Sequence, residues 1–129
     1  KYGRQALESL LSGHHLTAAD LAAAGKQAQR YRTEFAAILA RYDALATANV
    51  LTTAPPLADF ADGPAVWTPM RTLPFNVTGH PALAVPIGFS GGLPMGMQLV
   101  GPDHSEALLC QIGDAYERAT DHSAQQPIF

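Results

Sequence analysis

Cysteine is nearly missing from this sequence, and Cys110 stands alone. A single cysteine excludes an internal disulfide and a cysteine-based zinc site, and favours a reducing compartment, taken here as the cytoplasm. Positive charge is equally thin. The eight Lys and Arg are scattered and the formal charge is −3, so the electrostatic footprint of a nucleic-acid or anionic-membrane partner is lacking. No apolar run approaches the length that spans a bilayer. Charged residues make up only 15% against 47% hydrophobic, a composition that excludes a disordered or coiled-coil chain. The chain opens on Lys-Tyr-Gly-Arg, without an initiating Met or a secretory leader. That opening is expected of a start in mid-protein.

The 129 residues suit one domain with a modest core. Between 17 and 43, Leu21, Ala24, Ala28, Tyr31, Phe35, Ile38 and Tyr42 recur at steps of three and four. That spacing predicts one apolar face of a long helix, capped by Thr17 with Asp20 in a capping-box arrangement. A shorter helix over 6–11, ending at Gly13, precedes it. Residues 44–54 turn small, apolar and Thr-rich, and Val50-Leu51-Thr52-Thr53 predicts a buried strand. Prolines and a glycine then break regular structure, so 55–69 is expected as a long loop, functional or packed on something else.

From 82 to 101 the period becomes two. Leu83, Val85, Ile87 and Phe89 form one alternating run and Met95, Met97 and Leu99 another, joined by 90–94 as a β-hairpin. Pro86 cannot donate to a ladder, so its strand is expected to be irregular or at an edge. A last helix over 105–120, capped by Ser105, turns Leu108, Leu109, Ile112, Tyr116 and Ala119 inward. Cys110 within it reads as a small packing residue.

Several motifs invite chemistry and fail on context. Gly88-Phe89-Ser90-Gly91-Gly92 fits G-x-S-x-G, the nucleophile elbow, but an elbow needs a helix directly after the serine. Here a second strand follows, so the glycines read as turn residues. His14, His15, His80, His104 and His122 form no i, i+4 pair, and no metal site is expected. Asn76-Val77-Thr78 matches the glycosylation sequon without a secretory context. No glycine cluster opens a helix to cradle phosphate, and no cofactor is expected.

The most specific stretch is TLPFNVTGHPALAVPIGFSGGLPMGMQLVG, residues 72–101. It resembles the C-terminal segment of the amidase signature family, worded T-x-P-x-N-x-x-G-x-P-A-x-x-V-P-x-G followed by G-L-P-x-G-x-Q-x-x-G. Pro74, Asn76, Gly79, Pro81, Ala82, Val85, Pro86, Gly88, Gly92, Leu93, Pro94, Gly96, Gln98 and Gly101 fall in register. The closing Ser105–Leu109 and Ala115-Tyr116-Glu117 look like the family's last helix. Upstream, Tyr42-Asp43 and Leu51-Thr52-Thr53 match more loosely, with Asn49 and Ala54 departing from the usual Asp and Pro.

The resemblance implies an α/β fold: part of a mixed β-sheet with covering helices, in the order long helix, strand, hairpin and C-terminal helix. One C-terminal segment would run over 1–129. It also implies amide hydrolysis by a Ser–cis-Ser–Lys triad, with the nucleophilic hydroxyl activated through a neighbouring base. In the family that machinery lies in an N-terminal Gly- and Ser-rich signature, which this sequence lacks. Lys1 and Lys26 stand in no matching context, so no catalytic residue carries over and the chain alone is expected to be inactive. The loop before the Asn-Gly-Pro motif borders the family's acyl pocket. Trp67, Met70, Phe75 and Asn76, with Val66, are therefore the substrate-binding candidates, although Trp67 and Phe75 also read as core. The glutamine-using amidotransferase branch carries an acid near Thr68, Pro69 and Met70, and its lack here favours an apolar amide. A small amide is the expected ligand of the parent enzyme. A homodimer, or association with the rest of the domain, is expected to cover apolar surface. The rival reading is an inactive interaction module derived from the same fold.

Overall fold

The computed structural model describes residues 2–60 and 69–125. Its centre is the hairpin of β2 (Ala82–Ser90) and β3 (Leu93–Val100). Gly91 and Gly92 make the turn at φ 59° and 79°, values that suit a two-residue hairpin and that only glycine adopts without strain. A short strand, β1 (Leu45–Ala48), pairs antiparallel with the far side of β3, giving the order β1-β3-β2. Pro86 disturbs its strand as expected. The ladder jumps from Pro86↔Gly96 to Gly88↔Met95 and leaves Ile87 unpaired, on a strand at the edge of the described sheet.

The third strand lies earlier than Val50-Leu51-Thr52-Thr53 suggested. Leu45–Ala48 find partners at Met97–Val100, whereas Val50 makes only an isolated bridge to Met70 and Leu51 is exposed. Pairing with β3 outweighs the higher β-propensity of the later residues. Residues 55–60 hold a short 3₁₀ turn, Leu57–Phe60; residues 61–68 of the expected loop lie outside the described residues.

The helix α4 (Glu106–Ala119) lies on this sheet. Leu109 joins Val85 and Leu99 in the core, with Leu83, Met97, Ile112 and Tyr116 packed around them. A Cβ at Gly113 would meet Leu83 Cδ2 at 2.7 Å, so the missing side chain is what brings helix and sheet together. Three expectations for α4 change. Ala119 is exposed. Cys110 is exposed too, because Leu109 takes the inward direction beside it. Ser105 makes no capping bond; its hydroxyl donates to the Pro102 carbonyl at 2.7 Å.

Two helices lead the chain, α1 (Arg4–Leu11) and α2 (Ala18–Leu39). The capping box of Thr17 and Asp20 is formed in both directions. Of the predicted apolar face, however, Leu21, Tyr31, Ile38 and Tyr42 are exposed and Phe35 is half-buried. Contact with α3 (Leu73–Thr78) runs through Arg32 and Phe35, and Leu39, beside the predicted face, is buried. Phe35 meets Phe75 edge-on at 5.2 Å, the favoured aromatic geometry. Apolar periodicity does not reveal so short a helix as α3, although Pro74 in its first turn and Gly79 at its C-cap (φ 73°) are ordinary start and stop signals.

Candidate functional site

Ser90 is the last residue of β2, followed by the glycine turn and then β3. Strand–turn–strand is not the strand–turn–helix of an elbow. Among the described residues, no hydrogen bond joins a serine hydroxyl to a histidine, lysine or carboxylate; Ser12 and Ser105 donate to backbone carbonyls. Asp103, one of the acids downstream, is held by Arg32.

The described substrate-pocket candidates, Met70, Phe75 and Asn76, have different surroundings. Trp67 and Val66 lie outside the described residues. Phe75 is 7% exposed and packs edge-on against Phe35, which gives it a core environment. Asn76, one step along α3, faces solvent. Met70 is partly exposed and bridges to Val50, which itself lines a cleft.

This cleft measures about 430 Å³ and lies where β1 ends beside the hairpin. Ala48, Val50, Leu51, Ile87, Met95 and Gly96 give its apolar walls, and Thr52, Thr53 and Ser90 its hydroxyls. The register shift builds part of it. With Ile87 released from the ladder, its side chain lines the cleft while Val85 stays in the core; re-aiming a side chain is what a bulge does.

A polar frame fixes the strand beneath. Asn49 donates its backbone N–H to the Gly96 carbonyl at 3.2 Å, and its own carbonyl accepts from the Arg71 N–H at 2.7 Å. Gln98, 3% exposed, donates from Nε2 to the Arg71 carbonyl at 2.9 Å and more weakly to that of Ala48 at 3.5 Å. A Cβ at Gly96 would lie 2.8 Å from Asn49 Nδ2, so glycine is required for the amide to sit there. Asn49 Oδ1 is buried and accepts no hydrogen bond among the described residues.

A second polar cluster joins α2 to the loops around the sheet. Arg32 donates to the Thr78 carbonyl and to Asp103 Oδ2 at 2.6 Å. A Cβ at Gly79 would come within 3.0 Å of Arg32 Nη1. Beside them His80, 6% exposed, shares a 2.8 Å hydrogen bond between Nδ1 and Thr78 Oγ1. Burial lowers its pKa; Asp103 opposes that shift and Arg32 adds to it. Both partners of the Arg32–Asp103 pair remain substantially exposed, so the cluster is best understood as a brace. Among the described residues no group of three or more His, Cys, Asp or Glu could hold a metal ion.

Three of these residues are not marked out by the sequence. The helical wheel turns Arg32 toward solvent, His80 stands out only as a residue before proline, and Ile87 looks like one more member of an alternating run. Pro86 is the available signal for Ile87, since an irregular strand cannot keep its alternation.

The chain is similar to known proteins along most of its length. A family model described as Amidase matches residues 1–110. A glutamyl-tRNA(Gln) amidotransferase subunit from Chloroflexus aggregans is 39% identical over 124 residues, covering 92% of this chain and 25% of that protein. A crystal structure of an amidase superposes with a TM-score of 0.76 at 27% identity, over 92% of this chain and 29% of that one. A bacterial aryl acylamidase of the amidase signature enzymes superposes at 0.71, over 98% of this chain and 29% of that one; at 19% identity it bears on the fold alone. The chain thus spans about a quarter of the length of the curated relatives it matches.

Proposed function

Since the chain belongs to the amidase signature family, we propose that it is the C-terminal part of an enzyme hydrolysing a carboxylic amide C–N bond. In this reading a Ser–cis-Ser–Lys triad on sequence outside this chain supplies the chemistry. The lysine takes the proton of one serine through the other, and the freed oxygen attacks the amide carbonyl; the C–N bond breaks as the amine leaves with that proton, and water then cleaves the acyl ester to release the acid. The present segment contributes sheet, covering helices and a wall of the substrate pocket, with Met70, Phe75, Asn76 and Trp67 as the wall residues. The observation that carries the reading is the mismatch of coverage: nearly all of this chain aligns with about a quarter of each relative. Met70 supports it further, because its bridge to Val50 sets the pocket-wall segment beside a cleft.

The chain by itself is inactive in this reading, and its home is the cytoplasm. No described helix is long and apolar enough to cross a membrane. The exposed stripe of Leu21, Tyr31, Ile38 and Tyr42 is then the surface on which the remainder of the domain, or a second copy, packs. A discontinuous assay of the purified chain on a simple aryl amide checks this directly, with no release of the amine expected. Turnover that Ser90→Ala abolishes would return the nucleophile to this segment and overturn the reading.

A further inference from the structure

Among the described residues His80 is the one buried histidine, and it sits where three parts of the fold meet. On the α2 side, the Phe35 ring lies 6.1 Å away, edge-on. Thr78, at the end of α3, shares the Nδ1 hydrogen bond. Asp103, in the turn after β3, joins His80, Ala36, Leu39, Ala40 and Pro102 around a cavity of about 250 Å³. We infer that the His80 ring is an acid-sensitive latch: when it gains a proton, α2 parts from α3 while the hairpin and α4 stay packed. This device is independent of the amidase reading.

The charges around the ring give the latch its direction. Arg32 faces it from α2 and Asp103 from the turn, while α3 offers the Thr78 hydroxyl. Arg32 holds the Thr78 carbonyl through Nη1 and Asp103 through Nη2, so a neutral His80 leaves the carboxylate to one cation. A proton on His80 adds a second cation beside the first, with a single carboxylate to share. Thr78 Oγ1 can accept from the charged ring as readily as it donates to the neutral one, so that hydrogen bond does not oppose protonation. The buried charge does, because it surrenders hydration without gaining a partner of its own. Opening toward water relieves it. The element that gives way is α2, since the core of Val85, Leu99 and Leu109 that joins the hairpin to α4 includes no residue of α2. Burial lowers the folded pKa of His80 below 6.5. The latch is therefore closed above that value and opens as pH falls through the folded pKa.

Amide hydrogen exchange of the purified chain, followed by NMR from about pH 7.5 to about pH 5 and corrected for intrinsic rates, tests the latch. Residues 32–39 of α2 are expected to lose protection at least about fivefold, the low end of coupling between sites, while Leu99 and Leu109 keep theirs. The carbon shift of the His80 ring, recorded on the same samples, should titrate with the same midpoint. His80→Gln keeps a polar side chain that does not titrate, so protection of α2 should then be independent of pH over this range. Constant protection of α2 in the unaltered chain, an equal loss in α4 and β3, a midpoint shared with the exposed His14 and His15 in place of His80, or the same acid response in His80→Gln would each overturn the inference. Should the variant not fold, the coincidence of midpoints in the unaltered chain decides.

Discussion

Helices α4 and α2 carry the same kind of apolar stripe and meet opposite fates. On α4, Leu109 is 2% exposed beneath the sheet, whereas on α2 Leu21 is 61% exposed. Periodicity says that a helix has a face to bury, but only the neighbouring elements decide whether that face is buried here. The sheet side of the molecule is a finished core in miniature. The α2 side leaves its apolar stripe, Leu21, Tyr31, Ile38 and Tyr42, exposed among the described residues.

The contrast can be broken most forcefully at Leu109. Leu109→Ala deletes a fully buried side chain and should cost about 2–5 kcal/mol in urea unfolding. Gly113→Ala comes next. Overpacking against Leu83 costs about 1–3 kcal/mol, partly offset by roughly 1 kcal/mol of helix propensity, so a net loss of up to about 2 kcal/mol should appear in the same melts. Thr17→Ala removes the cap of α2 and should cost about 1 kcal/mol of helix stability. Circular dichroism should register it as fraying of α2, with little change in the cooperative midpoint of the sheet.

Smaller again is the pH response of His80. Its folded pKa is depressed from 6.5 by burial, so the unfolded chain binds the proton more readily. Its contribution to stability is complete above pH 6.5 and is lost as pH falls through the folded pKa. Melting temperatures measured from about pH 7.5 downward should fall, and His80→Gln should flatten that slope. Leu21→Ala closes the series: in the isolated chain it should shift stability by less than about 0.5 kcal/mol. A loss near that of Leu109→Ala would mean that the two helices are covered alike.

The legible parts of the fold are those with local causes. The hairpin follows from alternation and paired glycines, the cap of α2 from Thr17 and Asp20, and the irregular β2 from Pro86. What is not legible depends on partners distant in sequence. Leu45–Ala48 is weak strand material until β3 lies beside it, and Val50–Thr53 is good strand material that is offered only a bridge. The inward face of α2 is set by Phe75, Thr78 and Asp103, which lie about 40 or more positions from the residues they meet. The family can be read from residues 72–101 because their motif is dense. The cleft cannot, since its residues come from two stretches that nothing local connects.

The strand order β1-β3-β2 also implies a sequence of events in time. The hairpin closes over two turn residues, while the contact of Gln98 with Ala48 spans 50 positions and bears a larger entropic cost of loop closure. Chain topology therefore favours β2–β3 as the early nucleus and β1 as a late arrival. Substitutions in the hairpin should slow folding, and those in β1 should mainly hasten unfolding, a division that a chevron analysis reads directly. The cleft needs both partners, so it comes into being only in the last step of assembly.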